Sequence, residues 1–127
     1  MRVRTVLLAE DDPAIRRIAE IALGREGFDV YTVGDGSEAL QYLEDSLFDL
    51  VILDGLMPKM DGLEACRRMK ANPRTARIPV IILSARSQQA DVAAGRAAGA
   101  AGYIRKPFDA TRLGRQVRAI CRSRAQC

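Results

Sequence analysis

The sequence contains no histidine. Without an imidazole the chain cannot by itself perform Ser-His or Cys-His nucleophilic catalysis, which needs such a base beside the nucleophile. Cysteine is scarce too: Cys66, Cys121 and Cys127 make an odd number, with no Cys-x-x-Cys spacing. The two shortages together exclude an ordinary structural zinc site and argue against a disulfide framework. No apolar run reaches the roughly 20 residues of a membrane span. The opening segment, MRVRTVLLAEDD, has a short apolar stretch, then acids, and no small-residue cleavage site; it reads as a first strand rather than a leader. A soluble, cytoplasmic protein without membrane association is the expectation. Repeats, low-complexity tracts and linkers are absent as well.

What is present suits one domain. A chain of 127 residues, 48% of them hydrophobic, is long enough to bury a core and too apolar to stay disordered. Its net charge is +4, with seventeen arginines against three lysines. A basic balance invites a nucleic-acid reading. Much of the excess, however, lies in Arg105, Arg112, Arg115, Arg118, Arg122 and Arg124, several of them spaced by three and four as on one solvated helix face. No recognition motif accompanies them, so direct nucleic-acid binding is not expected.

Short β-rich runs alternate with helical stretches. Strands are predicted at Val3–Ala9, Asp29–Val33, Leu50–Leu53, Val80–Leu83 and Gly102–Ile104. Helices are predicted at Pro13–Glu26, Gly36–Asp45, Gly62–Ala71, Gln88–Ala98 and Thr111–Ser123. Asp12 before Pro13 suits an N-cap, Gly27 a left-handed C-cap, and Ile15, Ile18 and Ala22 a single apolar stripe. Leu113, Val117 and Ile120 give the last helix its stripe; the fourth, rich in Ala and Gly, should pack least firmly. Five βα units with short connections imply a parallel sheet covered by helices on both faces. Sites in such sheets form outside the carboxyl ends of the strands.

Leu50–Leu53 runs straight into Asp54, a carboxylate at the end of a strand apolar enough to be buried on both sides. Holding a charge there is costly unless something offsets it. Glu10, Asp11 and Asp12 follow the first strand, Ser84 the fourth, and Lys106-Pro107 the fifth. Converging carboxylates repel, which raises a pKa or calls for a cation. Oxygen donors without His or Cys suit a hard ion, Mg²⁺ first and Mn²⁺ in its place. With such an ion, Asp54 becomes a plausible nucleophile toward a phosphoryl group, Lys106 a mobile positive charge and Ser84 a hydroxyl donor to its oxygens. Singly, each residue has an ordinary reading: Asp12 and Asp61-Gly62 as caps or turns, Asp54 capping Gly-Leu-Met-Pro, Ser84 a strand-end hydroxyl, Lys106 a surface lysine. Their joint placement at strand ends points to chemistry.

The segments VLLAEDDPAIRRI, DLVILDGLMPKMDGLE, IPVIILSA and AGAAGYIRKPF resemble the receiver domain of two-component response regulators, in spacing as well as residue type. The resemblance implies a flavodoxin-like (βα)5 fold with strand order 2-1-3-4-5. It implies that Asp54 accepts a phosphoryl group from a partner histidine kinase or histidine phosphotransfer protein, in a phosphorelay. It further implies that Asp11, Asp54 and the backbone carbonyl of Leu56 ligate Mg²⁺, with Glu10 acting through water. Ser84 and Tyr103 match the switch pair, although Tyr103 also reads as a half-buried core aromatic. Ala85 matches a small residue beside the phosphoryl site, Lys106 the family's lysine, and Lys106-Pro107 a peptide bond usually cis.

By the same resemblance, Leu56 and Arg86 match variable positions that in the family influence phosphoryl lifetime, while Arg96 and Ala101-Gly102 depart from the residues the family often has on its output face. The sequence ends at RSRAQC, so a single receiver domain over residues 1–127 is expected, without an output domain. It would signal through a protein target or a homodimer, unless it is a receiver cut from a longer protein.

Three other readings compete with this one. A haloacid-dehalogenase-type phosphatase needs a second acid two residues past the nucleophile, where this chain has Leu56. A flavodoxin needs a phosphate-cradling turn, where this chain has AEDDPA. A receiver-like interaction module without phosphorylation keeps the fold and loses the chemistry.

Overall fold

Ten elements alternate along the chain in the computed structural model, which describes residues 3–86 and 88–125, with side chains described through Arg122. They are β1 (Thr5–Ala9), α1 (Pro13–Arg25), β2 (Asp29–Val33), α2 (Gly36–Asp45), β3 (Leu50–Asp54), α3 (Gly62–Ala71), β4 (Val80–Ser84), α4 (Gln89–Ala97), β5 (Gly102–Arg105) and α5 (Leu113–Ala125). All strand pairings are parallel, in the order β2-β1-β3-β4-β5. This is the flavodoxin-like arrangement expected from the sequence. Cys127 and the Arg124 side chain lie outside what is described.

The strands alternate faces with period two, and each face has its own core. Leu7, Val51, Leu53, Val80 and Ile82 pack with α2, α3 and Ala98. Val6, Leu8, Leu50, Ile52, Ile81 and Leu83 pack with α1 and α5. Burial on both sides explains why β3 and β4 read as unbroken apolar runs. Each fully buried Leu or Ile contributes about 1.5–3 kcal/mol relative to exposure.

Caps set the helix boundaries. Asp12 accepts from the N–H groups of Ala14 and Ile15, and Asp61 from that of Glu64. Gly27, at φ +97°, ends α1 while Phe28 N–H reaches Leu23 O.

Two predicted boundaries move for visible reasons. β1 begins at Thr5 rather than Val3: Thr5 opposite Asp29 is the first pair in register with β2, and the preceding Arg4 N–H is held by the Asp49 side chain. α5 begins at Leu113 rather than Thr111, because Asp109 holds Thr111 in a side-chain turn. One predicted stripe is corrected. On α1 the buried residues are Ala19, Ala22 and Leu23, while Ile18 is 49% exposed. The small alanines let α1 lie close to the sheet, and that rotation turns Ile18 outward.

Candidate functional site at the carboxyl edge of the sheet

The chain leaves β1 toward α1 on one face of the sheet and leaves the neighbouring β3 toward α3 on the other, so a crevice opens at their carboxyl ends. Glu10 follows β1 directly, Asp54 is the last residue of β3, and Ser84 is the last of β4. All three are buried. Asp11 is exposed at the mouth. Carboxylate oxygens of Glu10, Asp11 and Asp54 all lie within 4.8 Å of one another.

Lys106, one residue past β5, reaches into this cluster. Its Nζ stands 2.6 Å from Glu10 Oε1 and 3.0 Å from Asp54 Oδ2, with the side chain only 14% exposed. It is therefore not the surface lysine of the ordinary reading. Its backbone N–H donates to Ser84 O at 2.8 Å, which ties the loop to the end of β4. The Lys106-Pro107 peptide is cis, as the resemblance implies.

Burial first, and then the neighbouring Asp54, raise the Glu10 carboxyl to about 7 against the lowering effect of Lys106 and of the Asp12 N–H. For Lys106, burial works against the ammonium, but contacts with Glu10 and Asp54 outweigh it and raise the pKa. Among the described residues, Lys106 thus contacts two acids of a cluster of three. Glu10 Oε1 is buried without a well-directed hydrogen bond, its approach to Lys106 being a charge contact. An all-oxygen donor set with excess negative charge and an under-satisfied buried oxygen fits a hard divalent cation. Leu56 N–H donates to Asp54 Oδ1 at 3.1 Å, which fixes the start of the β3–α3 loop beside that donor set.

The backbone of Arg86 joins the two residues matched to the switch. Arg86 N–H donates to Ser84 Oγ at 3.1 Å, and Arg86 O accepts from the Tyr103 hydroxyl at 2.6 Å. Tyr103 is half-buried, its ring against Gly95 of α4. Backbone bonds carry no residue signature, so this link is invisible in the sequence. The roles of three further residues, Arg16, Gly62 and Gly95, also escaped sequence reasoning. Arg16 donates to Glu10 O at 3.0 Å, anchoring the turn after β1. A Cβ on Gly62 would stand 2.4 Å from Asp54 O, so only glycine lets α3 start against the acceptor strand. Gly95 makes the room that the Tyr103 ring occupies.

Among the described residues no helix is long and apolar enough to cross a membrane. A sequence model of the family described as response regulator receiver domain matches residues 6–118. The chain is 40% identical over 118 residues to the transcriptional regulatory protein AfsQ1 of Streptomyces coelicolor, covering 93% of this chain and 51% of that one. It thus spans about half the length of the curated relatives it matches. The chemotaxis response regulator CheY4 of Vibrio cholerae superimposes with a TM-score of 0.87 at 28% identity, covering 94% of this chain and 99% of that one. The receiver domain of sensor histidine kinase PA1611 from Pseudomonas aeruginosa, solved with a magnesium ion coordinated in its active-site cleft, gives 0.84 at 31%, covering 94% and 98%. Sequence, topology and the acids at the sheet's carboxyl edge agree: the chain belongs to the response regulator receiver domain family, the phosphorelay signalling domain that pairs with histidine kinases.

Proposed function

We propose that Asp54 is the phosphoryl acceptor of this receiver, taking the group from a phosphohistidine on a partner kinase or phosphotransfer protein in the cytoplasm. The observation that carries this reading is Lys106 Nζ in contact with both Glu10 and Asp54, inside a cluster of three carboxylates at the end of a fully buried strand. In the transfer an Asp54 oxygen forms the new P–O bond as the donor's P–N bond breaks, and the imidazole leaves neutral, its other ring nitrogen having taken a proton from solvent. Rigid placement at the end of β3 supplies the orientation that phosphoryl transfer chiefly requires.

Asp11, Asp54 and the Leu56 carbonyl, with Glu10 behind them, are the residues that would hold Mg²⁺, or Mn²⁺ in its place. When bound, that ion would neutralise charge on the acceptor and on the phosphoryl oxygens. Lys106 then exchanges its contact with Asp54 for one with a phosphoryl oxygen, and the Ser84 hydroxyl donates to another. Drawing Ser84 inward pulls on the Arg86 peptide and so on Tyr103, biasing the surface formed by α4, β5 and α5. The domain catalyses only its own phosphorylation and dephosphorylation, and its output is contact with another protein.

The test is intact-protein mass after incubation with acetyl phosphate, with Mg²⁺, with EDTA, and for Asp54→Ala. One Mg²⁺-dependent phosphoryl adduct, lost in the variant, is expected. Absence of an adduct from acetyl phosphate and from a phosphorylated histidine kinase alike would leave a module that acts by binding alone.

A further inference from the structure

From Glu26 to Pro58 the sequence holds eight acids and no lysine or arginine. The structure brings exposed members of this stretch to the open edge of β2. Asp29 N–H donates to Arg4 O at 2.8 Å, and Val33 O accepts from Glu10 N–H at 3.1 Å. In a parallel pair, residues that bond the neighbouring strand alternate with residues that do not. Asp29, Tyr31 and Val33 therefore turn their backbone groups to β1, and those of Val30 and Thr32 face outward from the sheet. Apolar side chains border this edge. Tyr31, Tyr42 and Leu47 are three of the six large hydrophobic residues left exposed among the described residues. The Tyr31 ring meets Phe48, the neighbour of Leu47, edge to face at 5.5 Å. On α2, Leu40 and Glu44 line a cavity with Arg68 of α3 and Asn72 at its end. Tyr42, with Glu38 and Asp45 one turn to either side, stands on the opposite side of α2, toward β2. Glu38 fixes that placement: a Cβ on Gly34, just past β2, would lie 3.8 Å from its Oε2. Asp29, Glu38 and Asp45 are all exposed. Arg16, which also approaches Gly34, donates to Glu10 O, and Arg4 lies beside Asp49.

We infer that the open edge of β2 takes an extended, basic segment of a partner protein as a sixth strand, with an apolar residue against Tyr31 and Tyr42 and lysines or arginines against Asp29, Glu38 and Asp45. An exposed strand edge is a template for such addition. Backbone bonds to Val30 and Thr32 supply affinity, and the alternate side chains that fall on the α2 face supply specificity. Asp29 shares that face with Tyr31, two residues on, so acids and apolar side chains are read by the same set of partner residues. Charge complementarity then selects the partner and speeds encounter. A second copy of the chain fits poorly, because a two-fold interface brings the same patch to itself and sets acids against acids. Nucleic acid fits poorly too, since its phosphates meet carboxylates instead of the cations they need. The inference stands apart from the proposed phosphoryl transfer, which uses none of these side chains.

The test uses the full chain and a fluorescent synthetic peptide with threonine at every second position and lysine, valine and lysine between. Controls are the same peptide with glutamates for lysines, and two lysine peptides N-methylated at every second amide, one in each phase. Expected is binding of the lysine peptide that weakens with added salt. N-methylation should abolish it in one phase, where the amides face β2, and spare it in the other. Hydrogen exchange read by NMR should show the Val30 and Thr32 amides slowed by the peptide. Glu38→Lys/Asp45→Lys should lower the affinity by about tenfold or more, whereas Glu20→Lys on α1 leaves it unchanged. Circular dichroism verifies that the double variant folds. Absence of binding would overturn the inference, as would equal binding of the glutamate peptide. Binding indifferent to N-methylation in both phases would overturn strand addition and leave charge attraction alone. Sedimentation showing a dimer of the protein by itself, disrupted by the double variant, would reassign the edge to self-association.

Discussion

Glu10 is fully buried between Lys106 and Asp54, and its carboxyl is raised from 4.5 to about 7. In the metal-free protein the folded chain therefore keeps a proton that the unfolded chain releases across that interval. Stability from this group is complete below about pH 4.5 and is lost as pH rises through about 7. Thermal unfolding in EDTA should show Tm falling across this window, and Glu10→Gln should flatten the fall. An unchanged slope in the variant would contradict the assignment. Added Mg²⁺ should raise Tm of the wild type most at the upper end, where the carboxylates are free to bind it. Leu56, 47% exposed two residues past Asp54, sets a second expectation. An apolar side chain at the mouth hinders the attacking water, so the Asp54 phosphoryl group should decay over minutes or longer. Leu56→Asn should shorten that lifetime, and a wild-type half-life of seconds would refute the argument.

At the scale of elements, Asp49 fastens the start of β3 to the start of β1. Its Oδ2 accepts from Arg4 N–H at 2.9 Å, Thr5 N–H at 3.0 Å and the Thr5 hydroxyl at 3.3 Å. Burial works against this carboxylate, but these bonds outweigh it and hold its pKa below the ordinary value. Asp49→Ala leaves two backbone donors without their partner and should cost about 1–3 kcal/mol in urea unfolding. Its contribution is present above the ordinary Asp pKa and is lost in acid. In α4, Gly95→Ala opposes two effects. Helix propensity favours alanine by about 1 kcal/mol, whereas the new methyl would stand 3.0 Å from Tyr103 Cδ2. The ring must shift, which loosens the Tyr103 bond to Arg86. Stability should change little while Tyr103 chemical shifts move and its ring becomes more exposed; an unmoved Tyr103 would show that the helix yields instead.

At the scale of the whole molecule, the two cores share one sheet, so losing the helices from either face removes support from strands that the other core also needs. Cys66 lies in one core and Cys121 in the other, both buried, and burial pushes both thiols up. A thiol reagent should therefore modify the two together, at the rate of global opening rather than of local fluctuation. Faster labelling of Cys121 alone would show α5 detaching as a separate unit.

Much of this architecture was legible in the chain. Short unbroken apolar runs between turn residues read as strands covered on both faces, caps such as Asp12 and Asp61 mark helix starts locally, and the βα alternation implies a parallel sheet. The strand-end positions of Glu10, Asp54, Ser84 and Lys106 follow from the same spacing, because a residue's place along its strand is fixed by counting. The strand order itself came from family resemblance, not from the pattern. The rotation of α1 that turns Ile18 outward depends on how closely small residues let a helix approach the sheet. The Ser84–Arg86–Tyr103 link runs through backbone groups that every residue possesses. The space for Tyr103 against Gly95, and for α3 against Asp54, exists only where distant segments meet. The sequence by itself determined which elements form and which side chains stand at their ends. Tertiary structure decided which of those groups touch, because contact depends on helix rotation and close approach, which no local pattern encodes.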